Sequence, residues 1–362
     1  MRRTTLAFAF GGKAAEHDLS VKSALYLLSH VDRERFRVLS LYVDPDGALA
    51  GRDVAAAKLT HALSHASGTI FGAGDDPAED FSEWVLSTLP ADGEEALSLL
   101  ASREIGVAFP VFHGQGGEDA LFQGFLETLR VPYVGCGVSG SVIGNDKAVN
   151  KAICAASGIP VTKFLVYHRD QWRDGRDARV QRAEEELGYP IFVKPPCLGS
   201  SVGISKAQDR QELLAAAETA FRYGDRLLLE KALVGREYGI GIIGNEAPRL
   251  SAIVEFGGGS NFLDYAAKYG SDAVEDTIPA VLDPSVEREL RETALRVYRL
   301  LGLRGMSRLD FFVADGRLYF NESNTVPGFG RTSVFSKIWA AAGVDLRTLI
   351  GELVEYALER TP

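Results

Sequence analysis

Arg308 and Asp310, followed by Glu322 and Asn324, are the residues of this chain best placed to do chemistry together. Residues 307–313 alternate as a strand does, Ala314-Asp315-Gly316-Arg317 turns, and residues 318–322 return. Side chains along a strand alternate faces, so 308 shares a face with 310, and 322 with 324. A three-residue turn over Asp315, Gly316 and Arg317 sets Asp310 directly opposite Glu322. A two-residue Asp-Gly turn would slip the register by one and send Glu322 to the wrong face. Carboxylates opposed at about 4.5–5.5 Å between Cβ atoms repel, and a cation between them removes that penalty. With Asn324 on the same face, the donors are all hard oxygens, a set that suits Mg²⁺ bound together with nucleotide phosphates. The plainer alternative is an ordinary hairpin with solvated acids. Four polar residues in phase beside apolar ones weigh against it.

Other stretches offer groups that could hold a phosphate or a small zwitterion. Residues 189–203 (YPIFVKPPCLGSSVG) read as a strand delivering Lys194 into a glycine–serine loop. Backbone N–H groups freed by glycine, with the hydroxyls of Ser200 and Ser201, can wrap phosphate oxygens while Lys194 supplies charge. No GxxxxGK[ST] occurs, so this is not a Walker A loop, and taken alone the stretch also reads as a surface turn. Residues 227–233 (LLLEKAL) form a strand that runs into Gly235-Arg236-Glu237, where main-chain groups could read an adenine edge and a carboxylate could take ribose hydroxyls. Apolar strands ending in charge are common, so this signal is weak by itself.

Glu16 follows the first strand, in GGKAAEHDLS. It either favours a helix dipole or holds a substrate ammonium. His113 opens a second glycine loop, HGQGGED, which suits a substrate carboxylate or phosphate at a helix start; a lone histidine is equally compatible with a structural role. Lys268 and Tyr269 fall in the loop-like stretch 257–276, either exposed to solvent or part of a lid that closes over phosphates.

Positioning these groups requires alternating elements, and the chain supplies them. Residues 4–10 read as a buried strand, followed by a helix carrying Val21, Leu25 and Leu28, then a strand at 36–43. A strand near 106–113 and a helix near 120–129 complete a parallel, doubly wound N-terminal domain over 1–144. Ligands in such sheets gather at the carboxyl ends of the strands, where Gly11-Gly12 and His113-Gly114 would lie. Residues 45–100 read as helices plus a surface insertion. A central unit over 145–229 has helices at 146–156 and 209–222 and strands at 164–167, 191–193 and 227–229. The last unit, 230–362, holds a mostly antiparallel sheet and helices at 284–302 and 345–359, giving an α/β chain that is α+β in its C-terminal part.

At 362 residues the chain is long enough for two or three domains. Its 46% hydrophobic and 24% charged content is that of a globular protein. The net charge of −10 argues against nucleic acid or an anionic membrane as partner, though not against a nucleotide held in a local positive pocket. Cys136, Cys154 and Cys197 are widely spaced with no CxxC pair, which fits a reducing compartment. No apolar run is long enough for a membrane span. Met1-Arg2-Arg3 is similar to a signal n-region, but Gly11-Gly12-Lys13 cuts the apolar stretch short, so a cytoplasmic protein is expected. The missing GxGxxG after the first strand counts against an oxidoreductase.

Taken in order, the GG…EH…S start, HGxxGED, KPxxLGSSVG, EKAL, AKY, RxDF and NExNTxPGF resemble the ATP-grasp superfamily and, within it, the D-alanine–D-alanine ligases. The resemblance covers nearly the whole chain apart from 45–100. It implies an ATP-grasp fold with ATP held between the central and C-terminal units. Lys147 and Lys194, with Ser200 and Ser201, would contact phosphates; Glu230, Lys231 and Leu233 would hold adenine and Glu237 the ribose. Asp310, Glu322 and Asn324 would bind two Mg²⁺, replaceable by Mn²⁺, with Glu322 bridging and Asn321 beside the nucleotide. Glu16 would take the first D-alanine's ammonium within a network that includes Ser200 and Tyr269. Arg308 and the Gly328 N–H would form an oxyanion hole, Ser333 and Lys268 would bind the second substrate's carboxylate, and His113 would also contact substrate.

The implied activity is ATP-dependent formation of D-alanyl-D-alanine for peptidoglycan, by a homodimer. A ligase using D-serine, D-lactate or another amino acid as acceptor is the alternative, and a nucleotide sensor without turnover is a further one. Tyr269 is similar to dipeptide-forming members. Ala14 stands where the family commonly has Ser, Cys197 where it has Asn, and Gly330-Arg331 interrupt the usual GFT-x-x-S pattern, while Ser333 keeps its spacing from Asn324.

Overall fold

A computed structural model describes residues 3–64, 70–71, 80–102, 104–199, 203–257 and 275–360. Within them, the chain folds around three four-stranded sheets. The N-terminal sheet contains β1 (Thr4–Gly11), β2 (Phe36–Val43), β3 (Leu49–Ala50) and β4 (Val107–Pro110), in the order β3-β2-β1-β4. β1 runs parallel to both β2 and β4, as expected; only the two-residue edge strand β3 is antiparallel. β1 is a continuous apolar run because both of its faces are covered. Leu6, Phe8 and Phe10 pack with Val21, Leu25 and Leu28 of the helix His17–His30. Ala7 and Ala9 face Leu41, Leu100 and Leu126 on the other side. The stretch 45–100 supplies the helices Arg52–Ser64, Phe81–Ser87 and Gly93–Ala101.

The central sheet contains β5 (Phe164–His168), β6 (Ile191–Lys194), β7 (Ser205–Ala207) and β8 (Arg226–Lys231), in the order β5-β8-β6-β7 and antiparallel throughout. Leu227, Leu229, Ile191 and Val193 point into a core closed by the helices Arg176–Glu186 and Arg210–Ala220. β8 carries this sheet two residues past 229, so the expected 229/230 boundary falls inside a strand.

The C-terminal sheet contains β9 (Arg236–Gly244), β10 (Arg249–Glu255), β11 (Gly305–Ala314) and β12 (Arg317–Asn324), antiparallel in the order β10-β9-β11-β12. Ile240, Leu309, Phe311 and Phe320 pack with Leu290 and Val297 of the helix Pro284–Leu300, which starts with a proline after an Asp283 cap. The helix Val334–Ala341 has no counterpart in the sequence reading; its Phe335, Ile338 and Trp339 join the core of the N-terminal sheet. Phe329 links the two, 5.5 Å from Phe109 on one side and 5.5 Å from Phe335 on the other.

The β11–β12 hairpin corrects one expectation and keeps its consequence. Ala314 pairs with Arg317, so the turn has two residues, Asp315 and Gly316, at φ 50° and 68°. Positive φ at both central positions is what a primed hairpin turn requires, and Asp-Gly is a preferred pair for it. That turn alone would set Asp310 opposite Asn321. A β-bulge restores the register: Phe311 pairs with Phe320, but the next pair is Asp310 with Glu322, leaving Asn321 as the extra residue. Asp310 therefore does face Glu322, through a bulge rather than a longer turn.

Candidate functional site

The site is assembled on that hairpin. Arg308 grips Asp310 with two parallel bonds, Nε to Oδ1 and a terminal nitrogen to Oδ2, both 2.8 Å. This fork geometry is the strong form of an arginine–carboxylate pair. It uses two of the five guanidinium donors. Burial works against the arginine's charge, yet Asp310 and then Glu322 and Glu237 raise its pKa further, so it stays cationic. The guanidinium also lies 5.4 Å from the Phe256 ring. On the facing strand, Glu322 receives Lys147 Nζ at 3.1 Å. Asn324 lies opposite Arg308, with its Oδ1 accepting the Val326 N–H at 3.2 Å. The bulge residue Asn321 donates to Glu237 Oε1 at 3.0 Å and so ties the hairpin to β9.

Lys147 reaches Glu322 because its helix, Lys147–Ala156, is fixed at its start. Asp146 caps that helix by accepting the N–H groups of Ala148 and Val149, both at 3.1 Å, and also pairs with Arg226 of β8. Lys147 Nζ donates a second bond to the Leu198 carbonyl at 3.0 Å, and its backbone N–H bonds Pro196 O at 3.0 Å. One lysine thus joins the β11–β12 hairpin to the loop after β6. Lys194, at the end of β6, pairs with Glu230 of β8, and so does the fully buried Lys151, at 2.7 Å. Burial would raise the Glu230 pKa, but Lys151 and Lys194 pull it down to about 2. Glu230 is bonded into strands on both sides, opposite Phe164 and Phe192. Past it, Lys231 and Leu233 lie at the open end of β8 and Glu237 near the start of β9.

A second group gathers at the carboxyl ends of β1 and β4. Glu16 precedes the helix His17–His30 but makes no capping bond, so its carboxylate is not spent on the helix start. It packs on Gly114: a Cβ there would meet Glu16 Oε2 at 2.8 Å, and the glycine's φ of 69° is itself unfavourable for a side chain. His113 is buried, 3.5 Å from the Ser23 hydroxyl, and burial lowers its pKa to about 4, which keeps the imidazole neutral near pH 7. Across from it, a Cβ at Gly328 would lie 3.9 Å from His113 Cε1 and 3.0 Å from Ser333 Oγ. Ser333 starts the helix Val334–Ala341 without a side-chain capping bond. Glu16, His113, Gly328 and Ser333 therefore line one region, bounded by Lys147 and the hairpin.

Two residues escaped the sequence reading. Glu118, quoted only as part of HGQGGED, lies between the two groups. Burial raises its pKa to about 7 against the pull of Lys147, and Glu16 and Glu322 push it the same way. Its Oε2 would be 3.7 Å from a Cβ at Gly199. Lys151 is the other. Its position one turn after Lys147 and near Cys154 on the buried face of the same helix was legible as a lysine on an apolar register. Ser200, Ser201, Lys268 and Tyr269 lie outside the described residues.

The family model for the D-alanine–D-alanine ligase N-terminus matches residues 5–136, and that for the C-terminus matches residues 153–355. The D-alanine–D-alanine ligase of Bacillus velezensis is 38% identical over 352 residues, covering 97% of each chain. That of Geobacillus thermodenitrificans is 38% identical over 360 residues, covering 99% of this chain and 96% of its own. This chain belongs to the D-alanine–D-alanine ligase family. Among solved structures, the family member from Coxiella burnetii superposes with a TM-score of 0.78 at 27% identity, over 100% of this chain and 95% of the other. The VanG D-Ala:D-Ser ligase of Enterococcus faecalis gives 0.79 at 26%, over 98% and 100%. These neighbours share the ATP-grasp type of fold.

The family implies ATP and Mg²⁺, and the hairpin offers a test of the metal's fit. Among the described residues no three His, Cys, Asp or Glu side chains converge. The donor set therefore depends on Asn324 as third oxygen beside the opposed Asp310 and Glu322. Opposed carboxylates, each held against a cation (Arg308 or Lys147) and joined by an amide oxygen, are hard donors of the kind Mg²⁺ takes. The residues fit the ion.

Proposed function

We propose that this chain joins two D-alanines into D-alanyl-D-alanine, converting ATP to ADP and phosphate, with peptidoglycan precursor as the product's destination. The observation that carries the reading is the hairpin register: Arg308, Asp310, Glu322 and Asn324 share one face, with Lys147 on Glu322. A carboxylate is a poor electrophile, so an oxygen of the first D-alanine attacks the γ-phosphorus and the bond to the β-phosphate oxygen breaks, releasing ADP. The amine of the second D-alanine then attacks the carbonyl carbon of the acyl phosphate. The tetrahedral oxyanion collapses, phosphate leaves, and the nitrogen gives up its proton.

Each step draws on named side chains. Glu16 holds the first ammonium, and its freedom from capping duty supports that role. Lys147 and Lys194 neutralise phosphate oxygens, and the Ser200 and Ser201 hydroxyls donate hydrogen bonds to them. Arg308 and the Gly328 N–H stabilise the oxyanion where its charge develops. Ser333 and Lys268 receive the second substrate's carboxylate and His113 contacts substrate, with Tyr269 and Ser200 completing the network around Glu16. Glu230, Lys231 and Leu233 hold the adenine end and Glu237 the ribose, with Asn321 beside the nucleotide. Mg²⁺ held by Asp310, Glu322 and Asn324 would neutralise charge on the transferring phosphoryl group. Two ions bridged by Glu322 and replaceable by Mn²⁺, a homodimer, a cytoplasmic location, and three domains with breaks near 144 and just after β8 belong to the same reading. No helix among the described residues is long and apolar enough to cross a membrane.

The test is amino-acid-dependent ADP release across a panel of D- and L-amino acids, with the product identified by mass spectrometry. D-alanine alone should support turnover and yield the dipeptide. Turnover without any amino acid, or confined to another one, would refute the assignment.

A further inference from the structure

Two ammonium groups share one carboxylate in the interior of the central sheet. Glu230 is 3% exposed, and its Oε1 takes Lys151 Nζ at 2.7 Å while its Oε2 takes Lys194. The Thr162 hydroxyl donates to Oε1 at 3.2 Å. These three groups together carry one positive charge, and Glu322 is the next carboxylate to act on Lys151. A surplus charge away from water is costly unless an anion arrives to meet it. The two lysines are not equivalent. The Lys151 side chain is 0% exposed and closed in beside Thr162, whereas that of Lys194 is 11% exposed at the strand end leading to Gly199. Only Lys194 has a way out.

Lys151 also lies four residues after Lys147 on one helix, and residues so spaced share a face. That face holds Glu322 of the C-terminal sheet through Lys147 and Glu230 of the central sheet through Lys151. We propose that Lys151 is a positioning residue for nucleotide binding: it keeps the Glu230 charge neutralised, so that Lys194 can leave that carboxylate for a phosphate of the incoming nucleotide. Without Lys151, Glu230 would hold Lys194 as its sole cation, and every phosphate contact of Lys194 would have to strip a buried carboxylate. The inference deepens the ATP-dependent reading and rests on it.

Calorimetry in the absence of D-alanine tests it on the full chain. Lys151→Met should weaken Mg·ADP binding tenfold or more, leave adenosine binding within twofold, and raise the KM for ATP in parallel. Lys151→Arg, which retains the charge, should recover most of the loss. A folded Lys151→Met protein that binds Mg·ADP like wild type, or that loses adenosine and Mg·ADP equally, would overturn the role. Should the variant not fold, a crystal structure of the wild type with an ATP analogue decides. Lys194 should then lie on a phosphate with Lys151 still on Glu230; Lys194 still on Glu230 with nucleotide bound would overturn the proposal. Failure of D-alanine-dependent turnover in the wild type would sink the ligase reading instead, and the ADP calorimetry would be unaffected by it.

Discussion

Glu322 faces Asp310 across the hairpin and is held by Lys147, so removing its charge should strike the phosphate chemistry rather than the fold. Glu322→Gln keeps the shape, and turnover should fall roughly a hundredfold or more with the melting temperature little changed; retained activity would remove Glu322 from the site. His113 allows a second check, on stability. Its pKa drops from 6.5 to about 4 on burial, so the unfolded chain binds the extra proton in that window. Stability is therefore fully present above pH 6.5 and falls as pH drops towards 4, by about 3 kcal/mol for this group. Denaturant melts across pH 4–7 should show that slope, and His113→Gln should flatten it. Residue types and spacing picked out Glu16, His113, Lys194 and the hairpin set as motifs, whereas Lys147 came only through the family resemblance. Glu118 was not assigned, because what marks it is burial beside other charges, and burial belongs to the fold; Lys151 shows in the sequence as a lysine on an apolar register, but its meeting with Glu230 does not.

At the scale of elements, the hairpin shows how a right conclusion came from the wrong device. The ligand face demanded Asp310 opposite Glu322, and a longer turn was the simplest way to get it. The chain instead keeps the tight Asp315-Gly316 turn and absorbs the odd residue at Asn321, which it fastens to Glu237. A bulge has no fixed sequence signature, so it could not be read in advance. Gly239, opposite Asp310 on β9, shows how little room is left. A Cβ there would meet Phe256 at 2.8 Å and Asp310 Oδ1 at 3.0 Å. Gly239→Ala should therefore displace the carboxylate and cost about 10- to 100-fold in kcat, with a stability loss of roughly 1–3 kcal/mol. Steady-state kinetics beside a urea melt would check both; unchanged kcat would mean that Asp310 is not held as tightly as the geometry requires.

For the molecule as a whole, alternation of strands and helices announced the parallel N-terminal sheet, and the C-terminal sheet was expected to be antiparallel. Sequence patterning did not reveal that the central sheet is antiparallel throughout, nor that one core runs from Phe8 and Phe109 through Phe329 to Phe335 and Trp339. Both depend on pairings between residues far apart in the chain. The helix Lys147–Ala156 ties the central and C-terminal sheets through its two lysines, so ligand binding should be felt as global stability. Mg·ATP at a hundred times its Kd should stabilise the protein by about 2.7 kcal/mol, read as a rise in melting temperature. The same nucleotide should raise it less in Glu322→Gln, and equal rises in both proteins would separate the hairpin from nucleotide binding.

The most direct trial of the account follows oxygen. D-alanine labelled with ¹⁸O in its carboxylate is supplied with ATP and Mg²⁺, and the released phosphate is analysed by mass spectrometry. Transfer through an acyl phosphate predicts one labelled oxygen in each phosphate formed, beside ADP and D-alanyl-D-alanine. Unlabelled phosphate, or label emerging in AMP with pyrophosphate released, would contradict it.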